Sequence, residues 1–457
     1  MTYQEFLKTK EDQIIRAGFD TRRDQLNRYE FEYQKDIVQW ALRKGKAAVF
    51  SDCGTGKSIM QLDFADQVCK HTKGNALIVA PLAVAEQTRR EGEKFGIEST
   101  VCRTQQDVKD GINITNYEML DHFDAAAFEA VVLDESSILK SFTSSTRNLL
   151  IDKFHDTPYK LCCTATPSPN DHTELGNHAE FLGIMSRTEM LATYFIHDGS
   201  DTSKWRLKGH GEKRFWEWVA TWAVCVSDPS DLGYSNDGFA LPDLNLIECV
   251  MESDLKDYEL IARRAESLQE RREARKESLP IRVKEARTLT ERDRDQYLVW
   301  CDFNDESAAL SKAIPESVEV VGSDSPQKKA DAATDFADGK IRILVSKPSI
   351  YGFGMNWQNC HNIIFCGLSD SFEQFYQALR RCWRYGQDHA VNVYIIISDR
   401  ELNILDNIKK KQRQMEEMQS GMIALMRDVT MREMKKTSRI IEEYRPAKKM
   451  EVPAWIA

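Results

Sequence analysis

The chain has 457 residues, of which 42% are hydrophobic and 29% are charged, and its formal net charge is −10 at pH 7. A chain of that length can form roughly two to four domains, each with its own hydrophobic core. No run of about 18 uncharged apolar residues is present, and the first residues are charged, so we expect neither a membrane span nor a signal peptide. The eleven cysteines form no C-x-x-C pair, which argues against a zinc site and favours free thiols in a reducing cytoplasm.

Short apolar runs alternate with helical patterns through the first third of the chain. The runs lie at residues 47–50, 76–81, 113–115, 130–135 and 161–167. This alternation is typical of βαβ units, in which helices cover both faces of a parallel sheet. We therefore predict an α/β lobe over residues 1–169.

The pattern changes after residue 170 and then returns. Residues 170–226 look like longer helices, and residues 227–243 are rich in Ser, Asp, Gly and Pro, so we expect a helical extension and an interlobe connection over 170–240. A second series of apolar runs, at 297–303, 318–322, 341–346, 362–366 and 391–397, predicts a second α/β lobe over 241–399. Residues 400–457 are charged and read as a helical tail.

Residues 51–58, SDCGTGKS, follow an apolar run and precede a helical pattern. They match a phosphate-binding loop except at Ser51, where the strict pattern has glycine. Gly54 and Gly56 let the chain curl, Lys57 can reach the β- and γ-phosphates, and Ser58 can offer a hydroxyl to Mg²⁺. An ordinary strand-to-helix turn is the alternative, and the context favours nucleotide binding.

Two further clusters could complete such a site. Asp134 and Glu135 end an apolar strand, where one carboxylate can hold Mg²⁺ and the other can orient or deprotonate water, although exposed loop acids are common. Arg381 and Arg384 lie three residues apart in QALRRCWRYGQ, which predicts one helical face that could reach a phosphoryl group from the second lobe. A solvated surface is the alternative for that helix.

The ordered segments from about residue 29 to 397 resemble helicase superfamily two, and within it the Swi/Snf-type ATPases that translocate on double-stranded DNA. The segments are YEFEYQKDIVQWAL, SDCGTGKS, IVAPLAVAEQ, ITNYEML, LDESSILKS, TATPSPN, LVSKPSIYGFGMNW and QALRRCWRYGQ. That family commonly has a small residue at the position of Ser51, whereas Trp383 replaces its usual histidine. The resemblance implies two RecA-like lobes that share one ATP site.

The resemblance also implies roles for individual residues. Catalysis is implied for Lys57, Asp134, Glu135, Arg381 and Arg384, and Mg²⁺ binding for Ser58 and Asp134. ATP binding is implied for Tyr33, Gln34, Cys53, Gly54, Thr55, Gly56, Lys57, Ser58, Gly354, Asn356 and Gln377. Contact with DNA is implied for Pro81, Thr115, Tyr117, Lys140, Thr164, Ser346 and Lys347.

The function implied is a DNA-dependent ATPase that uses ATP and Mg²⁺ to translocate on duplex DNA, in preference to single strands or RNA. A strand-separating helicase and an ATP-switched clamp with little turnover are the alternatives. The resemblance is to compact viral or bacterial members, so we expect a monomer in the cytoplasm of a bacterial cell or phage-infected host, with room for a targeting protein partner.

Three charged or aromatic regions have two possible interpretations each. Tryptophans at 205–222 alternate with basic residues. They could form a surface on which bases stack, but we favour their burial in a hydrophobic core. The basic stretches 263–294 and 409–449 are either solvated helices or phosphate-contacting faces, and for the second we favour a bracing helix.

Overall fold

The computed structural model describes residues 18–434, except residues 83, 142, 169–170, 198–204, 253–267 and 353–354. Two open parallel sheets dominate these residues, and a short antiparallel hairpin forms a third, separate sheet. The predicted α/β class with two lobes is confirmed.

The first sheet has seven parallel strands in the order β3-β4-β2-β5-β6-β1-β9. Its strands are β1 (Lys46–Ser51), β2 (Asn75–Ala80), β3 (Ser99–Val101), β4 (Ile112–Asn116), β5 (Phe128–Asp134), β6 (Tyr159–Thr164) and β9 (Ala223–Val226). The central strands are buried along nearly their whole length, which explains why they appear as continuous apolar runs in the sequence. All five runs predicted in this lobe are strands.

Helices cover this sheet and connect its strands. They are α1 (Glu32–Lys44), α2 (Lys57–Thr72), α3 (Ala85–Phe95), α4 (Ser145–Lys153), α5 (Leu175–Leu182), α6 (Arg187–Tyr194) and α7 (Glu212–Val219). Helix α2 packs on α1, β2 and β5, so the chain that leaves β1 is folded back across the middle of the sheet. That crossover fixes residues 52–56 at the carboxyl end of β1.

The segment from 170 to 226 differs from the helical expectation. It contains the hairpin strands β7 (Phe195–His197) and β8 (Trp205–Leu207), and it ends in β9, which pairs with β1 at the edge of the first sheet. The bounds proposed for the domains remain a prediction, but β9 ties this segment to the first lobe. Trp216 and Trp222 are 2% and 1% exposed, so the core interpretation of these two tryptophans is confirmed.

The second sheet has six parallel strands in the order β10-β15-β14-β11-β13-β12. Its strands are β10 (Leu244–Met251), β11 (Tyr297–Trp300), β12 (Ser317–Glu319), β13 (Ile343–Ser346), β14 (Asn362–Cys366) and β15 (Val391–Ser398). Its helices are α8 (Leu268–Glu277), α9 (Leu279–Thr290), α10 (Asn304–Ala313), α11 (Pro326–Ala337), α12 (Pro348–Tyr351) and α13 (Phe372–Leu379). The five predicted runs of this lobe coincide with strands.

The final described helix, α14 (Leu402–Met434), lies against both lobes. Met415 belongs to the apolar core of the second lobe, whereas Met422 and Met426 belong to that of the first. This packing agrees with the bracing helix expected for the tail as far as Met434, and residues 435–457 lie outside the described residues. Across the described residues, no helix has both the length and the hydropathy needed to cross a membrane.

Candidate nucleotide site between the two lobes

The loop after β1 has the geometry of a phosphate cradle. Gly54 and Gly56 have φ angles of 89° and 82°, a region that favours glycine, and α2 begins at the next residue, Lys57. The Lys57 ammonium donates to the carbonyl oxygens of Ser51 and Asp52 at 2.8 and 3.0 Å. The lysine therefore lies over the loop at the start of a helix, where backbone N–H groups and the helix dipole favour an anion.

Helix α1 holds this loop through hydrogen bonds from Tyr33 and Gln34. The Tyr33 hydroxyl and the Gln34 amide both donate to the carbonyl oxygen of Thr55, at 2.6 and 2.8 Å. The other end of the Gln34 amide accepts the backbone N–H of Phe31 at 2.8 Å. A Cβ on Gly56 would lie 2.2 Å from the Gln34 nitrogen, so a larger residue at 56 would displace the glutamine. Tyr33 and Gln34, both predicted to bind ATP, thus form one hydrogen-bonded unit with the loop.

The acid pair at the end of β5 faces the same helix. Gln61 of α2 donates to Asp134 Oδ1 at 2.7 Å, and it lies one turn beyond Ser58. Glu135 adopts a left-handed backbone, with φ of 53°, which is uncommon for a non-glycine residue. The Thr164 hydroxyl donates to Glu135 Oε2 at 3.3 Å. Gln61 was not predicted as a site residue, although its i+3 spacing from Ser58 is a usable signal.

Burial sets the protonation of this acid pair. It raises the pKa of Glu135 to about 7, an effect that Lys57 opposes and the neighbouring Asp134 charge reinforces. Burial also raises the pKa of Asp134, against the hydrogen bond from Gln61. A carboxylate with a pKa near neutrality is suited to accept a proton from water at physiological pH.

The oxygen donors here suit Mg²⁺. The Ser58 hydroxyl is on the first turn of α2, and the Asp134 carboxylate is bound to Gln61 on the next turn of that helix. Mg²⁺ prefers oxygen ligands and takes one or two from protein while keeping waters and phosphate oxygens. The residues present therefore fit a phosphate-bound Mg²⁺ ion.

The predicted arginines lie beyond the helix on which they were expected. Helix α13 ends at Leu379, and residues 380–386 form turns. Arg381 donates to the carbonyl oxygens of Gln377 and Met355 at 2.8 and 3.1 Å, and Arg384 donates to Met355 at 3.4 Å. Both side chains thus bond within their own lobe, although the Arg381 charge acts to lower the pKa of Glu135 across the cleft.

The arginine that reaches the phosphate loop is Arg380, which the sequence did not single out. Its Nη2 donates to the Cys53 carbonyl oxygen at 2.5 Å and lies 3.1 Å from Asp52 Oδ2. The Tyr376 hydroxyl donates to the other oxygen of Asp52 at 2.8 Å. No sequence signal distinguished Arg380 from Arg381, because the choice depends on where the helix ends.

The remaining predicted nucleotide contacts are spread along the second lobe. Gln377 is 1% exposed, and neither atom of its amide group has a hydrogen-bond partner among the described residues. Asn356 is exposed. Gly354 lies outside the described residues. The ATP contacts at Gln377, Asn356 and Gly354 therefore remain predictions.

The residues predicted to contact DNA share one location, at or within a few residues of the carboxyl ends of parallel strands. They are Pro81, Thr115, Tyr117, Lys140, Thr164, Ser346 and Lys347. This is the edge at which open α/β sheets bind ligands.

Several of these side chains are used inside the protein. Tyr117 donates to the carbonyl oxygen of Asp134 at 2.6 Å, and Ser346 donates to that of Val320 at 3.0 Å. Thr115 is 1% exposed, and its hydroxyl has no partner among the described residues.

The two predicted lysines are more accessible. Lys140 forms an ion pair with Glu373 of the second lobe. Lys347 is bonded to Asn304 and borders a cavity of about 440 Å³. Among the predicted DNA contacts, these two lysines are the ones that carry an accessible charge.

Comparison with known proteins groups the same residues into two domains. An SNF2-related domain matches residues 33–194, which include the phosphate loop and the acid pair. A helicase conserved C-terminal domain matches residues 281–386, which include the three arginines.

No curated protein matches the sequence. Among solved structures, the chain is similar to a Sulfolobus solfataricus SWI2/SNF2 ATPase core in complex with dsDNA, at 16% identity and a TM-score of 0.43, covering 90% of this chain and 97% of that one. The two matched domains together exceed half of the chain, and with the ordered motifs they identify it as a Swi/Snf-like ATPase of helicase superfamily two.

Proposed function

We propose that this chain is a DNA-dependent ATPase that translocates on double-stranded DNA by coupling ATP hydrolysis to closure of the cleft between its lobes. The observation that carries the proposal is the convergence of three parts on one cleft. The loop at Lys57 and the acid pair at Glu135 come from the first lobe, and the arginine turn comes from the second. Arg380 bonds to the phosphate loop itself, so the two halves are in contact.

Each residue has a distinct role in this proposal. Lys57 and the N–H groups of the loop bind the β- and γ-phosphates, and Ser58 with Asp134 holds Mg²⁺. The bound metal neutralises charge on the phosphate oxygens. Glu135 accepts a proton from the attacking water. Arg381 leaves the Met355 carbonyl and stabilises the charge that develops on the transferred phosphoryl group.

DNA is proposed to lie along the strand ends of both lobes. Contacts through lysines such as Lys140 and Lys347 would be mainly to phosphates, so binding should be independent of sequence and weakened by salt. Lys140 must exchange its Glu373 partner for a phosphate, and that exchange would link DNA binding to the interlobe contact. Thr164, which donates to Glu135, would then link the ATP site to the DNA.

ATP turnover measured with duplex DNA, single-stranded DNA and RNA tests this function. We expect low basal turnover and strong stimulation that is greatest with duplex DNA. Equal rates with every nucleic acid and with none would refute the proposal. Glu135→Gln is the control for contaminating ATPases, because it should abolish turnover while ATP binding is retained.

Two displacement assays distinguish translocation on duplex DNA from separation of its strands. Translocation on duplex DNA should displace a third strand from a triplex without opening the duplex, whereas a helicase would open a forked duplex. A protein that binds DNA in an ATP-dependent way, yet shows the same near-zero turnover as its Glu135→Gln variant, would be a clamp.

A further inference from the structure

Arg380 places a buried positive charge at the boundary between the lobes. Its side chain is 0% exposed although it belongs to the second lobe and ends on the first. Nη2 lies 3.1 Å from Asp52 Oδ2 and donates to the Cys53 carbonyl oxygen at 2.5 Å. Burying a guanidinium is unfavourable unless its partners are fixed, so this contact is specific in geometry.

The second lobe holds the Arg380 guanidinium in an aromatic box. Its central carbon lies 4.9 Å from the ring centre of Trp383 and 5.8 Å from those of Tyr376 and Tyr385. Nε and Nη1 have no hydrogen-bond partner among the described residues, and the ring faces compensate in part for this. All three rings belong to the second lobe, so the guanidinium is held by its own lobe as well as by the phosphate loop.

Two of these rings, Tyr376 and Tyr385, also bind the first lobe. The Tyr376 hydroxyl donates to Asp52 Oδ1 at 2.8 Å, and the Tyr385 hydroxyl donates to the Ser227 carbonyl oxygen just after β9 at 2.8 Å. A Cβ on Gly54 would lie 2.8 Å from the Tyr385 ring, so the ring presses on the loop. Three second-lobe side chains therefore contact the beginning of the phosphate loop or the strand beside it.

Arg380 differs from its neighbours in where it bonds. Arg381 and Arg384 both donate to the Met355 carbonyl oxygen of their own lobe, whereas Arg380 crosses to the other lobe. Arg380 and Arg381 are adjacent in one turn, so anchoring the first to the loop sets the position of the second relative to the nucleotide.

We propose that Arg380 is a positioning residue that fastens the second lobe to the phosphate loop through Asp52 and so sets the register in which Arg381 approaches the γ-phosphate. The inference rests on the proposed ATPase function for its kinetic consequence. The latch itself, defined as the contact of Arg380 with Asp52 and Cys53, is independent of turnover.

A double-mutant cycle of Arg380→Gln and Asp52→Asn tests the kinetic part. We expect each single variant to lower kcat with duplex DNA by about tenfold, and the double variant to be no worse than either, because contacting residues are not additive. In Arg380→Gln the Kd for ATP without DNA should change by less than about threefold, since Lys57 and the loop N–H groups proposed to bind the phosphates belong to the first lobe. Arg400→Gln, which removes an exposed ion pair with Glu277 in the second lobe, is the matched control and should leave kcat unchanged.

Hydrogen exchange of the loop, residues 52–56, tests the latch without ATP or DNA. Arg380→Gln should raise exchange in this peptide, Arg380→Lys should raise it less, and Arg400→Gln should not change it. The lysine variant keeps the charge and serves if the glutamine variant does not fold. Unchanged exchange in Arg380→Gln, or multiplicative kinetic effects in the cycle, would overturn the proposal. Increased exchange in a protein that hydrolyses no ATP would retain the latch and reject the ATPase function instead.

Discussion

The two halves of the candidate ATP site differ in where their side chains find partners. In the first lobe, Lys57, Gln34 and Tyr33 all bond to the phosphate loop, and Gln61 joins that loop's helix to Asp134. In the second lobe, Arg381 bonds to a carbonyl of its own lobe. The side chains of the first half already lie on the loop proposed to bind the phosphates, whereas Arg381 lies on its own lobe and must leave the Met355 carbonyl before it can reach them. Binding and hydrolysis should therefore be separable by mutation.

The largest effect is expected in the second half. Arg381→Ala should lower kcat by about 10³-fold, the scale of an arginine that stabilises phosphoryl transfer, with little change in ATP affinity. Single-turnover hydrolysis and equilibrium binding of a fluorescent ATP analogue measure the two quantities. Lys340→Ala, an exposed second-lobe residue paired with Asp335, is the control. A large loss of affinity in Arg381→Ala would show that this half also binds ATP.

The corresponding experiment in the first half of the site is Lys57→Ala. Losing a charge-assisted contact to phosphate should weaken ATP binding by about 10- to 100-fold. The same binding assay provides the comparison, with Lys73→Ala, at the exposed end of α2, as its control. Unchanged affinity would remove the loop from the nucleotide site and with it the contrast between the halves.

The pH dependence should follow the acid pair of the first half. Burial raises the pKa of Glu135 from 4.5 to about 7, and the active base is the deprotonated form. The value of kcat/KM should therefore fall about tenfold per pH unit below pH 7. Stability should move the other way. Because the folded state favours the proton, the contribution of Glu135 is greatest below pH 4.5 and is lost as pH rises through 7.

A pH–rate profile from pH 5.5 to 8.5, paired with urea unfolding at the same pH values, measures both trends. Glu135→Gln should flatten the pH dependence of the residual rate and should change the slope of the unfolding free energy against pH mainly between pH 5.5 and 7. Lys160 and Glu30, whose pKa values burial shifts to about 7 and about 10, contribute their own slopes to that free energy in both proteins. His178, whose pKa burial lowers to about 4, should not titrate within this pH window. A wild-type rate that is flat below pH 7 would rule out Glu135 as the base.

We expect the smallest effect from a substitution at the proposed DNA contact of the second lobe. Lys347→Ala should reduce the slope of log Kd against log salt by about 0.9 for duplex DNA, the value for one phosphate contact. The comparison is with Lys340→Ala, for which we expect the parental slope. Identical slopes in both variants would place the DNA path away from Lys347.

The sequence predicted the two sheets because parallel strands buried on both faces are continuous apolar runs. It missed β9 because Ala223–Val226 directly follows the Trp-rich α7, and four apolar residues there look like a continuation of that helix. The phosphate loop and acid pair were predictable because each lies next to such a strand. Arg380 was not, because its role depends on α13 ending at Leu379 and on contacts more than 300 residues away in the chain.

The same limit applies to the predicted DNA contacts. Their common position at the strand ends follows from the motifs, but the bonds of Tyr117 and Ser346 inside the protein arise only from packing. The sequence motifs thus predicted which residues lie at the strand ends. Tertiary contacts determine which of those side chains are already hydrogen-bonded inside the protein.

The most direct test of the proposed ATP site is single-turnover ATP hydrolysis by the parent chain and by Arg381→Ala, each with and without duplex DNA. DNA should accelerate the parent many-fold and should not accelerate the variant, if DNA acts, as proposed, by delivering the second-lobe arginine to the first-lobe site. A parent rate that is the same with and without DNA, or equal acceleration of both proteins, would contradict this proposal.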